Sequence, residues 1–372
     1  MGEPRRTLRS SAAWALAAVA VLALGACGDD EGTYVESPAG ASWGVGAAGA
    51  DRDGTLVLTG QNRALTVVPG EDSGVVTGEP FDVPAGLASD ADPRGVSVDG
   101  SRTAWILVGD ALVPVRVRDG EPHATAATLQ KVGEREAGTL LPGAVPDQAR
   151  ATTAVAVVDD AAVVVGSYAD VGSSGARGNV LVHRIDGSGR PTLVAGRAWT
   201  GSADRPRPAT GIEPDLSAPA TDVDLDDVVA LQPLTDDRLL VVTSVPTETS
   251  SGRLAFFLLA GADLTRLTVD ETYIRIGSPA VSTSVTAEGL VIANVSAGGG
   301  AKPEPAALSI DPAAGKGSVI HRGAANAEGY GPLLVADADG DELLVVTPPA
   351  TDPEDDDNDA NVRVSSTPPP GD

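Results

Sequence analysis

The chain has 372 residues, 42% of them hydrophobic but only 3% aromatic, with 44 Gly, 28 Pro and a formal charge of −26. Length alone admits one large core or two ordinary ones. The charge repels nucleic acid and an anionic membrane surface alike, so electrostatics holds neither. Cys27 is the only cysteine, which excludes an intrachain disulfide, a cysteine-based metal site and a redox pair.

The first 27 residues fall into three parts: a basic start with Arg5, Arg6 and Arg9, an apolar stretch over 12–24, and the tetrad Leu24-Gly25-Ala26-Cys27. The apolar stretch is short for a membrane span and carries the positive flank of an export signal. The tetrad resembles the lipobox of bacterial lipoproteins. That resemblance implies cleavage before Cys27 and acylation of its thiol, with Leu24, Gly25 and Ala26 fitting the peptidase. Buried acyl methylenes contribute roughly 0.8 kcal/mol each, so two or three chains anchor firmly where one does not. An ordinary signal peptide and an uncleaved helix are the plainer readings. Arg5-Arg6-Thr7-Leu8 loosely resembles a twin-arginine signal, but the general secretory route is preferred. Loss of Glu3, Arg5, Arg6 and Arg9 takes the mature charge from −26 to −28. The polar stretch 28–33 then reads as a tether. Lysine occurs only as Lys131, Lys302 and Lys316, an Arg-rich usage like that of GC-rich actinobacterial genomes.

The mature chain repeats one unit: a strand, an acidic or Gly turn, a strongly apolar strand, a loop and a third strand. The turns fall at 51–54, 99–101, 159–160, 235–237, 288–289 and 339–341. The apolar second strands follow at 55–59, 104–108, 162–165, 239–242, 290–293 and 343–346, and third strands at 64–68, 112–115, 180–183, 254–259, 307–310 and 362–364. Such turns need positive φ or an Asx-type bond, which Asp and Gly supply. Second strands that are apolar on both faces fit strands sandwiched between neighbouring sheets. No helical periodicity competes with this pattern.

A spacing of about 50 residues between second strands resembles β-propeller repeat proteins, whose blades recur every 40–50 or so. The resemblance implies an all-β propeller of six blades, closed by an N-terminal strand at 33–36 that completes the last copy and removes an open edge. Seven blades, the extra one within 124–148, or paired β-sandwiches are the alternatives. The expected organisation is a signal peptide over 1–26, a lipidated tether and closing strand over 27–40, a propeller over 41–347, and an acidic, Pro-rich disordered tail over 348–372. A Pro-, Asp- and Thr-rich stretch over 199–227 breaks the period and reads as a long loop displayed on one face.

Two carboxylate runs raise the question of a metal. Asp337, Asp339 and Asp341 alternate around Gly340 in a pattern that resembles the calcium loops of EF-hands and integrin-type propellers. The run departs from both, with Val345 at the ninth position and no Glu at the twelfth; a plain acidic hairpin is the simpler reading. Asp222, Asp224 and Asp226 would converge on an ion only if the backbone curved around it, and otherwise form a solvated loop that contacts partners. Ca2+ is the cofactor these runs would take. Among the three histidines, His183 falls in a strand pattern and His123 and His321 beside turns, and no hydrolase or phosphate-binding motif is present. Trp43 and Trp105 lie in strand patterns and read as packing residues.

The expectation is therefore a lipoprotein on the extracytoplasmic face of the cell membrane. Its body would act as a non-catalytic binding or scaffolding module for an envelope protein or ligand, and bind no nucleic acid. The alternatives are an extracytoplasmic hydrolase or lyase using face carboxylates, and a structural envelope protein docking through the Asp222 region.

Overall fold

Leu239-Leu240-Val241-Val242 shows why the second strands are apolar on both faces. Leu239 and Val241 join one buried cluster with Ala154, Ala156 and Val182, while Leu240 and Val242 join another with Val291, Ala293 and Leu308. Successive residues of a strand point to opposite faces, so each face is covered by a different neighbouring sheet. The next strand divides in the same way: Ala255, Phe257 and Leu259 go to the first cluster, and Leu254, Phe256 and Leu258 to the second.

The computed structural model describes the strands between Thr33 and Ile185. It also describes residues 191–198, 208–234, 237–246, 251–270, 272–275, 281–297, 304–323, 331–336, 342–347 and 362–367. Among the described residues the chain forms six antiparallel four-stranded meanders. The first is Val45–Ala50, Leu56–Gly60, Leu65–Val68 and Glu79–Pro80. The second is Pro93–Val98, Ala104–Val108, Ala111–Arg118 and Glu121–Ala124. The third is Arg150–Val158, Ala161–Tyr168, Leu181–Ile185 and Pro191–Ala195. The fourth is Asp227–Pro233, Leu239–Pro246, Ser251–Ala260 and Asp263–Arg266. The fifth is Ser282–Val285, Val291–Ala297, Glu304–Asp311 and Lys316–Arg322.

The sixth is assembled from both ends of the chain. Leu333–Ala336, Leu343–Thr347 and Val362–Thr367 supply three strands, and Thr33–Glu36 pairs antiparallel with the last, Thr33 opposite Val364. Val75–Thr77, from the first meander's loop, adds in parallel outside Thr33–Glu36. Val362–Thr367 thus belongs to the fold, as the third strand expected at 362–364, and shortens the disordered tail expected over 348–372.

The first strand of each meander lies beside the first strand of the next. The series runs from Val45–Ala50 through Pro93–Val98, Arg150–Val158, Asp227–Pro233, Ser282–Val285 and Leu333–Ala336, and the last adjoins Val45–Ala50 again. Four apolar clusters fill the third–fourth, fourth–fifth, fifth–sixth and sixth–first junctions. Thr272–Arg275 pairs with both Ser251–Ala260 and Val291–Ala297, stitching the fourth and fifth meanders into one continuous sheet.

Turn chemistry follows the sequence. Asp237 closes the fourth hairpin at φ 59°, with the Leu234 amide bonded to the Arg238 carbonyl at 2.9 Å. Gly289 does the same for the fifth at φ 83°, under a Thr286 hydroxyl that accepts from the Leu290 amide. Within 124–148 the described strand Gln130–Lys131 pairs with Ala111 and Leu112 as an addition to the second meander; residues 125–129 and 132–148 lie outside the described residues.

Residues 208–227 are a further correction. They do not form a displayed loop but a strap, laid into the third–fourth junction with Ala209, Ile212, Ala220, Val223 and Leu225 buried. Ser217–Pro219 within it pairs with Asp263–Arg266 as a fifth strand of the fourth meander. The Arg266 guanidinium donates to the carbonyls of Thr210 and Ile212 at 2.8 and 2.9 Å, and the Ala209 amide to that of Asp224 at 2.7 Å. Gly196, at φ 88°, lets the backbone pass against the Val180 carbonyl where a Cβ would collide.

Candidate functional site

The first strands of the meanders lie beside one another, so any polar set that converges on them is the first place to look for chemistry. The fifth meander supplies it: Ser282, Thr283 and Ser284 follow one another along the inner strand, Thr286 stands in the turn after it, and Asn294 lies on the next strand, all buried. Hydroxyls placed at alternate positions of a strand share one face.

The side chains of Ser282, Ser284 and Asn294 are committed to the protein itself. The Ser282 hydroxyl lies 3.4 Å from the Ala48 amide and 3.3 Å from its carbonyl, across to the first meander. Ser284 accepts from the Ala336 amide at 2.9 Å, across to the sixth. Asn294 donates to the Leu334 carbonyl at 2.8 Å and accepts from the Leu334 amide at 2.7 Å. Leu334 and Ala336 stand two residues apart, so both turn backbone groups to the strand's free inner edge. The fifth meander's side chains occupy that edge as a paired strand would, and satisfy groups whose burial unbonded costs about 1–3 kcal/mol each. The arrangement holds sheets together.

The histidines lie away from this set. His183, 1% exposed, is enclosed in the third meander opposite Val164 and Leu193. His123 and His321, expected beside turns, instead lie within the strands Glu121–Ala124 and Lys316–Arg322. Desolvation lowers the pKa of the half-buried His321, whose Nε2 makes no hydrogen bond.

In the strap, Val223 and Leu225 point into the core while Asp222 is exposed and Asp224 and Asp226 are half-buried. Asp222 ends a short 3-10 turn, Ala220–Asp222, and the backbone after it is extended, with Leu225 bridged to Val180 and Asp224 to Pro208. It does not curve around an ion, and residues two apart on an extended chain stand about 7 Å apart. Among the described residues no three His, Cys, Asp or Glu side chains gather as a metal site would require. Asp337, Asp339 and Asp341, and Leu24, Gly25, Ala26 and Cys27, lie outside the described residues. Among the described residues no helix is long and apolar enough to cross a membrane.

Sequence reasoning missed Ser282, Ser284 and Asn294, because polar residues within strands read as solvent-facing positions. The only signal was their company: Val281, Val285 and Val291-Ile292-Ala293 leave no second face for a polar side chain to reach water.

The sequence matches no protein-family model and no curated protein. Among solved structures the chain is similar to a protein provisionally described as a gluconolactonase, at 11% identity over 91% of this chain and 94% of that one, with a TM-score of 0.45. It is similar to a luciferin-regenerating enzyme at 9% identity over 89% and 93%, with a TM-score of 0.46. A Bacteroides thetaiotaomicron protein of unknown function gives 10% identity over 88% and 71%, with a TM-score of 0.45. Likenesses this loose carry no activity across to this chain.

Proposed function

We propose that this chain is a lipoprotein acylated at Cys27, whose six meanders close into a six-bladed β-propeller held on the extracytoplasmic face of a membrane. The propeller serves there as a non-catalytic binding or scaffolding module. The observation that carries the non-catalytic reading is the use of Ser282, Ser284 and Asn294: the polar groups converging at the centre are spent on joining sheets. Closure is supported by the adjacency of first strands all the way round and by Thr33–Glu36 completing the sixth meander. The anchor is supported by the chain's only cysteine standing where Leu24-Gly25-Ala26 requires it.

The test is expression in an actinobacterial host fed a clickable palmitate analogue. The wild-type chain takes up label and sediments with membranes, whereas Cys27→Ala takes up none and leaves the membrane fraction. Unlabelled wild-type chain in the cytosol, or label retained by Cys27→Ala, would overturn the anchor. Turnover of any ester, lactone or glycoside by the purified protein would overturn the non-catalytic role.

A further inference from the structure

We infer that the chain stands edge-on to the membrane: its sixth–first junction faces the bilayer, and the strap over 208–227 is held at the opposite pole. The inference rests on the lipid anchor and the closed ring proposed above. Thr33 begins a strand fixed on both sides, by Val362–Thr367 and by Val75–Thr77. Only Gly28 to Gly32 separate it from Cys27, a tether reaching about 20 Å at full extension. The lipid therefore holds the sixth meander, with Val75–Thr77 of the first beside it, close to the headgroups. In a ring of six, the junction farthest from sixth–first is third–fourth, and that is where the strap is seated.

Charge decides between standing and lying flat. The mature chain carries −28 once Glu3, Arg5, Arg6 and Arg9 are gone. A flat disc would bring many of those charges within the screening length of an anionic bilayer, about 8–10 Å at physiological ionic strength. An upright disc brings only its lower rim that close. For a body of this size the two poles stand about 50 Å apart. The exposed Glu213, Asp215, Leu216 and Asp222 of the strap then face away from the membrane, where an envelope partner is met.

The test places a fluorophore at one pole or the other of the full lipidated protein. Ser366 is exposed on the strand that holds Thr33–Glu36, and Thr221 is exposed in the strap. Ser366→Cys and Thr221→Cys are each labelled, Cys27 being blocked by its acyl group, and reconstituted into phosphatidylglycerol vesicles bearing a headgroup energy acceptor. The expected result is quenching several-fold stronger at position 366 than at 221. The gap should narrow at about 1 M salt, where the screening length falls to about 3 Å. Equal or reversed quenching on vesicles that the protein floats with would overturn the upright stance. A gap unmoved by salt would overturn the role given to charge. No quenching at either position, with protein that does not float, would instead overturn the lipid anchor.

Discussion

Between the third and fourth meanders, Phe257, Leu264, Ile212 and Val182 share one large apolar cluster. Between the fifth and sixth, a smaller apolar set of Ile292, Ala307, Leu334, Ala336 and Leu343 is joined by the bonds of Asn294 and Ser284. Apolar burial is strong but non-directional, so it stacks sheets without fixing how far one slides over the other. Hydrogen bonds are directional and register the sheets to within a fraction of a residue. The third–fourth junction obtains its register another way: the strap fills the space, and Arg266 ties it down at two carbonyls. Among the described residues the fifth–sixth junction has no such insert, and it is pinned by side chains.

The comparison breaks most visibly at Phe257. Phe257→Ala removes a fully buried ring from the third–fourth core and should cost about 3–5 kcal/mol in urea unfolding. A loss under about 1 kcal/mol would mean that this junction does not bear the packing assigned to it. Asn294→Ala should cost less, about 2–4 kcal/mol, because it strips partners from two buried backbone groups of Leu334. The two variants separate in hydrogen exchange: the Leu334 amide should lose protection in Asn294→Ala at denaturant concentrations where Phe257→Ala leaves it unchanged. Equal exchange in both would show that Asn294 acts through packing alone.

The smallest effect concerns His321, on the fifth meander beside Gly323 and Pro332. Its folded pKa is depressed by burial, so below the unfolded value of about 6.5 the unfolded chain binds more protons than the folded one. Stability is therefore full above that value and declines as pH falls through the window down to the depressed folded pKa. His321→Gln should flatten that part of a thermal-stability profile, and an unchanged profile would remove His321 from the account.

Much of this architecture was legible from residues alone. The runs Leu56-Val57-Leu58, Leu239-Leu240-Val241-Val242 and Leu343-Leu344-Val345-Val346 announced sandwiched strands, and the acidic turns before them announced hairpins. The strap was not legible. Its buried residues, Ala209, Ile212, Ala220, Val223 and Leu225, follow neither a two-residue nor a helical period over the whole stretch, and Pro, Asp and Thr between them look like solvent-facing loop. Outer strands such as Pro191–Ala195 and Glu121–Ala124 were also missed, being short and begun or interrupted by Pro. The polar keys at the centre escaped for a different reason: a serine on an inner strand is satisfied by a backbone distant in sequence, and no local pattern reports that partner.

Thr33–Glu36 leaves the ribosome more than 300 residues ahead of Val362–Thr367, its antiparallel partner. The strand must therefore wait through all of that synthesis before its partner exists. The sixth meander cannot be completed until then, which exposes its unpaired edges to chaperones and proteases in the interval.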